Sequence, residues 1–109
     1  MPRFIVTGCY TNAAMKGMLA KPSDRGAAAK TIVEAAGGTL ESYYATTGPT
    51  DFIMTISIDD VTSLIAGLMV AGGMGAISNV QTVRAFTADE LTAIQKTASG
   101  LAQSYSPPN

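Results

Sequence analysis

Apolar and polar positions alternate at the start of the chain. In residues 3–10, Arg-Phe-Ile-Val-Thr-Gly-Cys-Tyr, Phe4, Val6 and Gly8 fall on one face and Ile5, Thr7 and Cys9 on the other, which is the period of a strand. Residues 11–22 break the alternation and read as a connection ending in Lys21-Pro22. Pro22 disfavours helix at Lys21 and leads into Ser23, a good N-cap residue, with Asp24 in the first turn. From Asp24 to Ala36 the period lengthens. Ala29, Ile32, Val33 and Ala36 form one helical stripe, and Gly37-Gly38 stops it.

The strand pattern returns at residues 39–47 and 52–58, separated by the turn residues Gly48-Pro49-Thr50-Asp51, so these segments predict a hairpin. In the second of them Phe52, Met54, Ile56 and Ile58 point one way and Ile53, Thr55 and Ser57 the other. Asp59 or Asp60 then caps a helix carrying the clearest amphipathic pattern in the chain, Val61, Leu64, Ile65, Leu68 and Met69. Gly72, Gly73 and Gly75 end it, and a fourth strand is predicted over residues 76–86. Thr87-Ala88-Asp89-Glu90 is a capping box, opening a short last helix with Leu91, Ile94, Ala98 and Leu101 on one side. Residues 104–109 read as a flexible tail, leaving residues 1–103 as a single domain.

This order, β-α-β-β-α-β with an added C-terminal helix, predicts an α+β fold of the ferredoxin-like kind. Its four-stranded antiparallel sheet would carry both long helices on one face. Right-handed crossovers place the first and third strands in the centre. If Phe4, Val6, Met54 and Ile56 face the helices, the other face carries Arg3, Ile5, Thr7, Cys9, Ile53, Thr55 and Ser57. A tyrosine of strand two joins them, with either Thr82 and Arg84 or Val83 from strand four. Such a face is too apolar to be left wet and too polar for a plain core. Sheet-to-sheet dimerisation around a polar-dotted cavity fits both properties, and a mixed face left to water is the alternative.

Composition sharpens this picture. Hydrophobic residues make up 47% of the chain and charged ones 14%, few enough to predict an oligomer, at least a dimer. The net charge is −1 and no basic run exists, so no nucleic-acid partner is expected. Cys9 is the single cysteine and cannot form an intrachain disulfide, and Met1-Pro2-Arg3-Phe4 opens no long apolar run. Both point to the cytoplasm. Residues 61–83 hold no charge, but the glycines there, with Asn79 and Gln81, argue against a membrane span.

The chain contains no histidine, which removes the commonest general base and metal ligand. No metal or cofactor is expected. Asp59-Asp60 read as helix caps, Gly72-Gly73-Met74-Gly75 lacks the context of a phosphate loop, and Met54, Met69 and Met74 read as core fillers. Cys9 is either a small buried hydrophobe or a redox thiol. The ligand-binding candidates are Tyr43 and Tyr44, one phenol on each face of their strand, with Asp51, Arg84 and Cys9. Arg84 is a lone cation in an uncharged strand, expected in a partly buried site facing Asp51 or a bound anion. No catalytic residue is assigned.

Gly48-Pro49-Thr50-Asp51-Phe52-Ile53, then Asp59-Asp60, then Asn79-Val80-Gln81-Thr82-Val83-Arg84-Ala85-Phe86-Thr87 resemble the GYD-domain family, as does Tyr10-Thr11 before a connection and a helix closing on Gly37-Gly38. The resemblance covers about residues 3–96. Thr50 departs from it, standing where the family's naming triplet has tyrosine. The resemblance implies a ferredoxin-like fold similar to the dimeric α/β-barrel proteins, and oligomerisation. The expected function is an oligomeric small-molecule-binding or structural protein whose cavity lies at the sheet face and takes a small, partly apolar molecule. A cofactor-independent enzyme of the dimeric α/β-barrel type, a monooxygenase or isomerase, is one alternative. A ligand-free protein-interaction module is another.

Overall fold

The computed structural model describes residues 1–108. Its elements are β1 (Arg3–Tyr10), α1 (Asn12–Ala20), α2 (Arg25–Ala35), β2 (Thr39–Ala45), β3 (Phe52–Ser57), α3 (Val61–Gly73), β4 (Ile77–Ala85), α4 (Ala88–Leu101) and a 3-10 turn over Ala102–Ser104. The strands form one antiparallel sheet in the order β2-β3-β1-β4, with β1 and β3 central, as the crossovers require. The α+β, ferredoxin-like arrangement expected from the sequence is therefore present. No helix among the described residues is long and apolar enough to cross a membrane.

The alternation in β1 and β3 becomes the core. Phe4, Val6, Phe52, Met54 and Ile56 face α2 and α3, joined by Val33, Ile58 and Leu64. Val6 and Ile56 are fully buried. The helices stop and start where local chemistry dictates. Asp24 caps α2 by accepting from the Ala27 N–H, Asp60 caps α3 through the Thr62 N–H, and Thr87 with Glu90 forms the capping box of α4. Gly37, at φ 90°, turns the chain out of α2 in the left-handed region that a side chain would strain.

Several expectations change. The segment read as a connection contains α1, capped by the Thr11 hydroxyl, which accepts from the Ala14 N–H. α1 buries no residue, so its apolar positions show no core-facing stripe to read. Asp24 replaces Ser23 as the cap of α2, because its carboxylate reaches the Ala27 N–H at 3.0 Å. On α3 only one side of the predicted stripe packs. Leu64 is 2% exposed, whereas Ile65 is 47% and Met69 71% exposed, since α3 packs on the core through Val61, Leu64 and Leu68. Met74 is likewise exposed, leaving Met54 as the core filler among the three methionines. Cys9 is half-buried. The boundary placed after residue 103 falls inside the 3-10 turn, residues 105–108 have no regular structure, and Asn109 lies outside the described residues.

Leu64→Ala is expected to cost about 2–5 kcal/mol, by leaving a cavity in a site that cannot collapse fully. Met69→Ala, on the solvent side of the same helix, should stay within about 0.5 kcal/mol. Urea unfolding of the two variants checks this, and equal losses would show that α3 is rotated from the orientation described.

Candidate functional site

Small side chains keep α2 and α3 from closing over the sheet. Ala28 and Ala29 on α2 face Gly67 and Ala71 on α3 across a cleft of about 360 Å³, floored by Tyr43, Phe52, Met54 and Ile77. At Gly67 a Cβ would meet only Ile32 Cγ1, at an ordinary van der Waals distance of 3.6 Å, so no tight backbone contact demands this glycine. The cleft is an apolar slot with a polar end, the usual make-up of a small-molecule site.

The polar end is built by β1, β2 and the start of α2. Tyr10 continues the helix-facing alternation of Phe4, Val6 and Gly8. Tyr43 faces the same way because a bulge between Leu40 and Ser42 resets β2, pairing Tyr43 with Met54. The two phenol oxygens are hydrogen-bonded to each other. Phe52 lies between the rings, tilted against Tyr10 at 5.4 Å and stacked with Tyr43 at 6.2 Å. Asp51 fixes Tyr10 from behind. Its carboxylate accepts the Tyr10 N–H at 2.9 Å, and its own N–H donates to the Gly8 carbonyl at 2.8 Å. The turn is tied down further by Thr46, whose N–H donates to the Asp51 carbonyl at 2.8 Å.

Electrostatics keep the Tyr10 phenol neutral. Burial pushes it above its ordinary value of 10.0, and the Asp51 carboxylate adds to the rise while the Arg25 guanidinium opposes it. At neutral pH Tyr10 is thus a hydroxyl donor and acceptor, unsuited to act as a phenolate base. Arg25 also borders a second, wetter cavity of about 400 Å³, together with Lys21 and Ser23. The two cavities adjoin, with Arg25, Met74 and Ala76 in the walls of both. The first cavity is mostly apolar, Arg25 stands where the two meet, and Lys21 lies in the second. A molecule with an apolar body and an anionic head matches this division.

The structure separates the residues singled out in the sequence. Tyr43 lines the cleft, and Asp51 reaches it through Tyr10. Tyr44 points from the opposite face of the sheet and is 66% exposed. Cys9 is on that face too, its thiol donating to the Pro49 carbonyl at 3.3 Å. Arg84 does not meet Asp51. Arg84 pairs across to Phe4 whereas Asp51 bonds Gly8, four residues along β1 and roughly 13 Å away at strand rise. Instead its guanidinium lies over the Phe86 ring at 4.3 Å and the Phe4 ring at 5.8 Å, within 4.0 Å of Glu90. The cleft lies between the helices and the sheet. Among the described residues no cluster of metal-ligating side chains occurs. Tyr10, Arg25 and Lys21 were not singled out beforehand. The even-numbered phase of β1 carried the signal for Tyr10, but α1 had to be recognised before Lys21 could be placed beside Arg25.

These features define a small α+β domain of ferredoxin-like topology with a ligand-sized cleft between its helices and sheet. The GYD-domain profile matches residues 4–94, and the chain belongs to the GYD-domain family. No curated protein sequence gives a significant match. Among solved structures the chain is similar to FFRP-DM1, at 16% identity over 79% of this chain and all of that one, with a TM-score of 0.45. It is also similar to TTHA0845 from Thermus thermophilus, at 18% identity over 81% of this chain and 96% of that one, with a TM-score of 0.45.

The raised Tyr10 pKa makes stability fall in alkali. Because the folded value lies above the unfolded one, the contribution is complete below about pH 10 and is lost as pH rises through the folded value. In thermal melts, the midpoint of wild type is expected to fall more steeply with pH than that of Tyr10→Phe between about pH 10 and the folded value. An identical alkaline slope in both proteins would contradict the placement of Tyr10.

Proposed function

We propose that this GYD domain binds a small amphipathic acid without turnover, its apolar body in the cleft between α2 and α3 and its anionic head at Arg25 and Lys21. The observation that carries the reading is the junction of the two cavities at Arg25, where an apolar slot meets a doubly cationic pocket. The cleft volume of about 360 Å³ suits a ligand of modest size. The Tyr10–Tyr43 hydroxyl pair at the junction supplies a donor for a carboxylate oxygen. A single cysteine, with no intrachain partner, fits a reducing compartment such as the cytoplasm.

Octanoate and octanol, compared by isothermal titration calorimetry, test the reading. Octanoate should bind about 10-fold tighter or more, since a hydrogen bond to a charged group is worth roughly 1.5–3 kcal/mol. Arg25→Ala should abolish that preference while leaving octanol binding in place. Gly67→Leu should fill the cleft, block both ligands and leave the helix at least as stable, because glycine costs about 1 kcal/mol in a helix interior. Equal binding of both ligands by wild type and Arg25→Ala, or undiminished binding by Gly67→Leu, would overturn the proposal.

A further inference from the structure

α1 buries none of its residues, yet its start is tied to the opposite wall of the second cavity. The Thr11 N–H donates to the Ala76 carbonyl at 3.3 Å, and the Thr11 hydroxyl donates to the Gly75 carbonyl. α1 lines the cavity with Ala13, Ala14 and Gly17, which are too small to fill it, and a Cβ on Gly17 would meet nothing within 4 Å. The space left, about 400 Å³, is no smaller than the apolar cleft of about 360 Å³ that it adjoins. A carboxylate at Arg25 would leave most of it to water.

Around Pro22 the chain brings Lys21, Ser23 and Arg25 to this cavity within five residues. Arg25 Nη1 donates to Ser23 Oγ at 3.4 Å, so the hydroxyl proton of Ser23 is left to donate elsewhere. Among the described residues no carboxylate pairs with Lys21 or Arg25, and no acidic side chain lines either cavity. Asp24, which stands between Ser23 and Arg25 in the sequence, accepts from the Ala27 N–H at 3.0 Å. Two cations and a hydroxyl therefore face one pocket with no counter-charge among its walls.

Charge and donor count select the head of the ligand. A carboxylate offers two oxygens and a single negative charge, and leaves one of the two cations unmatched. A phosphate monoester offers three terminal oxygens and a charge of about −1.5 to −2 near neutral pH. The guanidinium fork, the ammonium and the hydroxyl can then each find an oxygen, with charge balanced inside the pocket. We propose that the site takes the phosphate monoester of a small apolar alcohol, its chain in the cleft between α2 and α3 and its phosphate held by Lys21, Ser23 and Arg25. This rests on the amphipathic-acid reading of the same site and narrows the anionic head to one class.

Calorimetric titration with octyl phosphate, octyl sulfate, octanoate and octanol tests this at about pH 7.5, where the phosphate is mostly dianionic. The sulfate keeps the tetrahedral shape and carries one charge. Octyl phosphate should bind about 10-fold tighter than octanoate or octyl sulfate, through its additional charged hydrogen bonds. Lys21→Ala and Ser23→Ala, both at exposed positions, should each shrink that ratio by about 3-fold or more and leave octanol binding unchanged. Circular dichroism verifies that both variants keep the fold. Inorganic phosphate, which has no chain for the cleft, should bind at least about 10-fold more weakly than octyl phosphate. Octanoate or octyl sulfate binding as tightly as octyl phosphate, a ratio undiminished in both variants, or inorganic phosphate matching the ester would overturn the phosphate head. If octanoate is still preferred over octanol in that event, the amphipathic-acid reading stands without it. No preference of any acid over octanol would overturn both.

Discussion

The packing of Phe52 on the bare backbone of Gly8 organises the functional end of the molecule. An alanine at position 8 would put its methyl 2.6 Å from Phe52 Cζ, so the ring can lie where it does only because Gly8 has no side chain. That contact brings β1 and β3 together in the Gly8↔Phe52 register. From the register follow the neighbours: Asp51 meets the backbone of Gly8 and Tyr10, Tyr10 leans on one side of Phe52, and Tyr43 stacks on the other. The polar end of the cleft is thus set by one glycine in the middle of a central strand.

Local pattern made most of this fold legible. Strict alternation in residues 3–10 and 52–58 named the buried faces of both central strands, and the Asp59-Asp60 pair and Thr87 announced their helices by side-chain type. α1 was hidden because none of its residues is buried, so burial left no periodic trace in its sequence. The phase of β2 was open for a different reason. The bulge between Leu40 and Ser42 shifts its register, and a bulge is set by pairing with β3 and not by the residues of β2 alone.

The site was less legible than the fold because its residues come from separate elements. Lys21 and Arg25 flank a proline turn, Tyr10 ends β1, Tyr43 lies in β2, and the wall opposite is α3. None makes a motif by spacing. Arg84 misled for the opposite reason. Its isolation in an uncharged strand is genuine, but it serves an edge: its guanidinium roofs Phe4 and rests on Phe86 while its head donates to the Arg3 carbonyl at 3.3 Å. A lone cation in a strand marks a semi-apolar rim as readily as an anion site.

The small residues that hold α2 and α3 apart make the cleft a continuation of the hydrophobic core, since Phe52, Met54, Val33 and Leu64 belong to both. A guest seated there would complete the packing of the domain, so folding and occupancy become one coupled equilibrium. At a hundredfold excess over its dissociation constant such a guest adds about 2.7 kcal/mol, a large share of the roughly 5–15 kcal/mol typical of whole domains. The population of intact chains, and with it their survival against proteolysis, would then follow the concentration of the guest. On the proposed function, Ala28, Ala29, Gly67 and Ala71 would convert a packing deficit into a dependence of protein lifetime on chemical supply.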